Sequence, residues 1–127
     1  MTPLVPTSWG ELLDKITILE IKSERLTSET ALRNVRNELS QLEAVGTQAG
    51  NNPRLSDLRR ALKVINESLW DIEDRIREHE ASQLFDDEFI ALARAVYRTN
   101  DERGRIKREI NLLLSSELVE EKQYKAY

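Results

Sequence analysis

Apolar residues recur at three- and four-residue intervals along most of this chain and nowhere alternate, so the pattern predicts helices and no strand. A capping-box pattern, Ser8-x-x-Glu11, opens the first helix, which spans Trp9 to Leu26. Leu12, Leu13, Ile16, Leu19 and Leu26 share one arc and Ile18 and Ile21 a second, so this helix meets more than one neighbour. Ser28 caps a second helix carrying Leu32, Val35, Leu39, Leu42 and Val45, and GTQAGNNP (46–53) is a loop. The third helix is the most regular. Leu55, Leu58, Leu62, Ile65, Leu69, Ile72 and Ile76 form a packing seam of coiled-coil type. After Ser82-Gln83, Asp86 or Asp87 caps a fourth helix whose arc holds Phe89, Ile90, Leu92, Val96, Ile106, Ile110, Leu113 and Leu114.

Short connections make consecutive helices antiparallel. The expected fold is therefore all-α, an antiparallel up-down bundle of about four helices with a longer C-terminal helical hairpin, in a single helical domain over residues 1–127. The last two helices span roughly 40 Å and the first two roughly 27 Å, so the bundle cannot end evenly. The excess falls at a tip holding Ile76, Leu84, Phe85, Phe89 and Ile90, an apolar surface that reads as a subunit interface of a homo-oligomer. The competing expectation is that residues 115–127 fold back over it.

Five polar residues interrupt the fourth arc: Thr99, Asn100, Arg103, Lys107 and Asn111. Charges on a core face are costly unless paired, so this stripe either fixes register or binds something. Hairpin geometry sets Asn66 level with Arg103, and Trp70 with Thr99 and Asn100. Asn66, Trp70, Glu73 and Arg77 line one edge of the third helix's seam, and Glu20 lies inside the first helix's arc. The expected layer thus contains Glu20, Asn66, Trp70, Glu73, Asn100 and Arg103, with Lys107 and Asn111 further along and Tyr97 at the border beside Gly104. As a ligand site it would hold an anion on Arg103 and Lys107, with Glu20 or Glu73 accepting a proton. As structure it is an internal network fixing the register of the helices.

Composition narrows the functions. Net charge is −4 with a pI near 5.2, which disfavours nucleic acid as a partner. The basic run from Arg94 to Arg108 is local, and its members 94, 98, 105 and 108 read as a solvated face. No apolar run spans a bilayer and residues 1–10 do not read as a signal peptide, so the expected place is the cytoplasm. With no cysteine there is neither thiolate nor disulfide. His79 is the single histidine, set among Arg77, Glu78 and Glu80; it reads as a surface residue, and neither a metal nor a cofactor is expected. Glu11, Asp14, Asp71, Glu73 and Asp74 only loosely imitate the acidic helices of all-α nucleotide pyrophosphatases, because the paired E-x-x-E pattern is not cleanly present.

Three segments, GELLDKITILEIKSERL (10–26), NESLWDIEDRIR (66–77) and VYRTNDERGRIKREINLLLSSELVEEKQY (96–124), resemble a small bacterial family catalogued as a domain of unknown function, six-one-six-five. The resemblance implies a bacterial, cytoplasmic, α-helical protein and carries no catalytic residues. A looser likeness, in the W-x-x-E-D-x-x-R (70–77) and K-R-x-I-N (107–111) elements, is to other helical bacterial families found among genes for cell-surface polysaccharide synthesis. The expected function is a non-catalytic interaction or assembly module, accessory to such synthesis. The alternative is a binder or enzyme for an anionic small molecule, a sugar phosphate or carboxylate, using the polar layer.

Overall fold

In a computed structural model describing residues 1–127, the expected helix starts after Ser8, Ser28 and Asp86 fall where the chain turns. The loop expected over 46–53 narrows to residues 50–52, because Gly46 stays in the second helix and Asn52 caps the third at Pro53. Helix α1 spans Trp9–Arg25 and α2 Glu29–Gly46, with one 3₁₀ turn continuing α2 over Thr47–Ala49. Helix α3 spans Pro53–Ala81 and α4 Asp87–Leu113; there is no strand. Each helix is capped by a side chain. Ser8, Ser28, Asn52 and Asp86 accept from the backbone N–H of Glu11, Ala31, Arg54 and Phe89 respectively. Gly50, at φ +87°, takes the left-handed turn that ends the 3₁₀ segment.

Helix α1 is the hub of an all-α bundle. It packs on α2, α3 and α4, as its two apolar arcs require, and α3 packs on α4. Leu12, Leu13 and Ile16 join Leu55, Leu58, Leu62 and Ile110 in one buried cluster, with Leu39 and Leu42 of α2 laid against it. At Gly46 a Cβ would come within 2.9 Å of Ile16 Cδ1, so a side chain there would push the tip of Ile16 aside where the end of α2 closes on α1.

The core covers only the base of the α3–α4 hairpin. No residue from 67 to 78 or from 87 to 106 is buried, although the apolar seam continues through Ile72, Ile76, Leu92 and Val96. The distal half is a two-helix stalk, about 20 Å long. At its tip Leu84, Phe85 and Ile90 are each more than half exposed, while Ile76 and Phe89 are half-buried.

Residues 114–127 double back, but along α4 and not over the tip. Ser116 Oγ accepts from Trp9 N, Glu120 pairs with Lys107, and the Tyr127 hydroxyl donates to Asp101 while its ring meets Tyr97 edge-on at 5.1 Å. His79 corrects a second expectation, for it is buried. The N–H of Leu84 bonds to the His79 carbonyl at 2.9 Å, so the chain reversal wraps residues 83–89 around the ring and sets it beside Phe89.

Candidate functional site

Gly10, Asp14, Thr17 and Ile21 lie four, three and four residues apart and extend the arc of Ile21 into a second buried face of α1, turned toward α3 and α4. Asp14 is 1% exposed and is the centre of the polar layer. The Arg103 guanidinium engages both its oxygens, with Nε 3.0 Å from Oδ1 and Nη2 on Oδ2. Asn66 Nδ2 donates to Asp14 Oδ1 at 2.9 Å and to Thr17 Oγ1 at 3.0 Å, and Thr17 Oγ1 donates to the Asp14 carbonyl. The second amino group of Arg103 reaches Asn100 Oδ1 at 3.5 Å.

One turn further along α4, buried Lys107 sends Nζ to Glu11 Oε2 at 2.8 Å and to Glu120 Oε2 at 2.9 Å, with Asp14 Oδ2 at 3.9 Å. After another turn Asn111 Oδ1 accepts from the Gly10 N–H at 2.7 Å, satisfying a donor at the start of α1 that has no partner within the helix. This contact requires a glycine. A Cβ at residue 10 would stand 2.5 Å from the Lys107 carbonyl oxygen.

Five of the residues expected in the layer, Asn66, Asn100, Arg103, Lys107 and Asn111, do converge. Glu20 does not; it turns to the other flank of α1, facing Arg59 and Lys63 at 3.8 and 3.7 Å. Glu73 and Arg77 pair with each other one turn apart on the surface. Trp70 lies beneath the Arg25 guanidinium and, with Arg103, Glu73 and Ile18, borders a shallow recess of about 280 Å³. Tyr97 stacks with the returning tail. The structural carboxylates are Asp14, Glu11 and Glu120. The 4-3-4 spacing of Gly10, Asp14, Thr17 and Ile21 was the available signal for the first; nothing in the pattern points to Glu120, whose position depends on the path of the tail.

The electrostatics are self-contained. The Asp14 bond raises the Arg103 pKa above its ordinary value. Burial opposes the Lys107 ammonium, but the bonds to Glu11 and Glu120 and the charge of Asp14 outweigh it and its pKa is raised. Lys107 in turn holds the Glu120 carboxyl below its usual value. The two positions that could take an external anion therefore already hold carboxylates of the chain itself.

Because the Glu120 pKa is depressed on docking, its contribution is complete above the undocked carboxylate value, near 4.3, and is lost as pH falls through the docked value below it. The tail is expected to undock in that acid window, read as loss of the nuclear Overhauser contact between the Tyr97 and Tyr127 rings, while α1 stays folded. The Glu120→Gln variant should lose that contact already at neutral pH; an equal contact in both proteins would show that the pair does not hold the tail.

Between the tail and α4 lies a cleft of about 1030 Å³, bordered by Tyr97, Asn100, Gly104, Lys107, Lys122 and Tyr124. Gly104 forms part of its floor, where an added Cβ would meet only Lys122 Nζ at 3.6 Å.

Compared with known proteins, residues 4–127 match one family, described as a family of unknown function, DUF6165. No curated protein and no solved structure matches the chain.

Proposed function

We propose that this chain, which belongs to the family of unknown function DUF6165, is a non-catalytic assembly module that pairs with a second copy of itself through the distal half of the α3–α4 hairpin. The observation that carries this reading is the uneven cover of one continuous seam. At the base, α1 lies on α3 and α4 and buries Leu58, Leu62 and Ile110. Beyond residue 70 the same seam has two helices and nothing over it but the tail beside Val96 and Tyr97. An antiparallel second hairpin supplies the two missing helices and completes a four-helix layer about a two-fold axis.

Charge supports a copy of this chain as the occupant. Asp74, Glu78, Glu80 and Asp87 near the tip and Arg94 and Arg98 further back have no ion-pair partner within the chain. Antiparallel overlap brings the acidic tip of one copy toward the basic stretch of the other, twice. Completing the burial of Leu84, Phe85 and Ile90 adds about 1 kcal/mol for each side chain, and the two-fold doubles it.

Sedimentation velocity tests the reading. The unsubstituted chain should run at twice 14.7 kDa, and Phe85→Ser with Ile90→Ser should return it to one chain with its helical signal intact. A single-chain mass for the unsubstituted protein at every concentration would refute it.

A second reading, an anionic small-molecule binder, draws support from the cleft under the tail. Apart from the already paired Lys107, its lining carries Arg105, Arg108, Lys122 and Lys125 against Asp101, Glu120 and Glu121. A sugar phosphate or nucleotide sugar present at 100 times its dissociation constant should add about 2.7 kcal/mol to stability, read as a rise in the thermal midpoint. That rise should vanish in Lys122→Ala with Lys125→Ala. No rise with any such ligand would leave the tail as a structural strap.

A further inference from the structure

His79 is the one buried side chain with a polar atom left unsatisfied. Its Nδ1 stands 2.9 Å from the Arg75 carbonyl, an oxygen that only accepts, so Nδ1 carries a proton and donates it. That leaves the Nε2 lone pair of the neutral ring without a hydrogen-bond partner, although the residue is only 7% exposed. Nε2 points at two carboxylates across the chain reversal, with Asp86 Oδ1 at 3.5 Å and Glu88 Oε2 at 3.4 Å. The three ligand atoms lie within 4.8 Å of one another.

We propose that His79 Nε2, Asp86 and Glu88 bind one divalent transition cation of the zinc type at the hairpin tip. The spacing suits it. Ligands about 2.1 Å from a tetrahedral ion stand about 3.4 Å apart, which is longer than an ordinary hydrogen bond and close to the two separations from Nε2. The supporting contacts suit it as well. A ligating imidazole characteristically donates its other N–H to a carbonyl, as His79 does to Arg75. Arg75 holds the second oxygen of Glu88, and the Phe89 N–H anchors Asp86 at 3.0 Å, so both carboxylates are oriented before the ion arrives. One nitrogen and two oxygens favour zinc or a neighbouring first-row ion over magnesium, which prefers an all-oxygen octahedral shell. Asp86 and Glu88 remain partly exposed, so the fourth position is open to water. All three ligands come from one protomer.

A chain with one histidine and no cysteine gives no reason to expect a transition-metal site. The remaining ligands come from the next helix, and only the tight reversal over 82–86 brings them to the ring.

The test uses tag-free full-length protein stripped with chelator and dialysed. Zn²⁺ added in calorimetry should bind one ion per chain. It should also shift the ring resonances of the single imidazole, while an equal concentration of Mg²⁺ leaves them in place. His79→Ala should weaken Zn²⁺ binding at least tenfold, no less than removal of outer contacts costs such sites. Glu88→Gln keeps the buried ring packed and should weaken binding comparably, so a folding defect in the alanine variant cannot mimic the result. Ring resonances unmoved at saturating Zn²⁺, or equal binding by wild type and Glu88→Gln, would overturn the proposal in favour of a histidine facing two carboxylates without an ion.

Discussion

Asp14→Ala is expected to lower unfolding stability by about 3 kcal/mol, a large share of the 5–15 kcal/mol typical of a domain. Removing this carboxylate strips the Arg103 guanidinium of its main counter-charge and leaves Asn66 with one of its two acceptors. It also takes away the negative group 3.9 Å from buried Lys107. The cost falls at the lower end for a broken buried pair because Arg103 keeps some access to water. The contrasting variant is Asp14→Leu combined with Arg103→Met. With both charges gone no ion is left unpaired, and apolar atoms occupy the same space, so stability should return to near the starting value. Urea midpoints for the three proteins decide the matter. A double variant as unstable as Asp14→Ala would mean that the pair contributes attraction beyond the cost of burying it.

Leu62→Ala should cost about 3 kcal/mol, within the range for removing a buried leucine side chain. Leu62 is fully buried in the cluster that joins α1, α3 and α4, where Leu13, Ile16 and Ile110 are also fully buried. The same truncation at Leu84, half exposed at the tip, should cost the isolated monomer well under 1 kcal/mol. Thermal or chemical denaturation at a concentration below the self-association range compares the two directly. Equal costs would mean that the tip is packed within a single chain, contrary to the open stalk described above.

Sequence periodicity was sufficient for the elements because helix ends are local events. Ser8, Ser28, Asn52 and Asp86 cap through side chains that reach only two or three residues ahead. It also located the basic half of the polar layer, since Arg103 and Lys107 on an apolar arc are conspicuous. The acidic half was harder to read. Glu20 sits on the apolar arc of α1 by its spacing, but its long side chain swings out to Arg59 and Lys63. Asp14, shorter and adjacent to Leu13, remains in the core because Arg103 and Asn66 meet it there. The burial of His79 and the docking of Glu120 depend on how two irregular segments reverse, which no helical wheel describes.

The proposed assembly overlaps two distal hairpins antiparallel. It is tested most directly by spin-label distances, since a chain without cysteine accepts single labelling sites without background. A label at exposed Ala91, midway along the distal half, and another at Asn51, in the loop at the base, should behave oppositely. Ala91→Cys should give a short, well-defined distance between copies and Asn51→Cys a long or unmeasurable one. No distance between copies at Ala91, or a shorter one at Asn51, would contradict it.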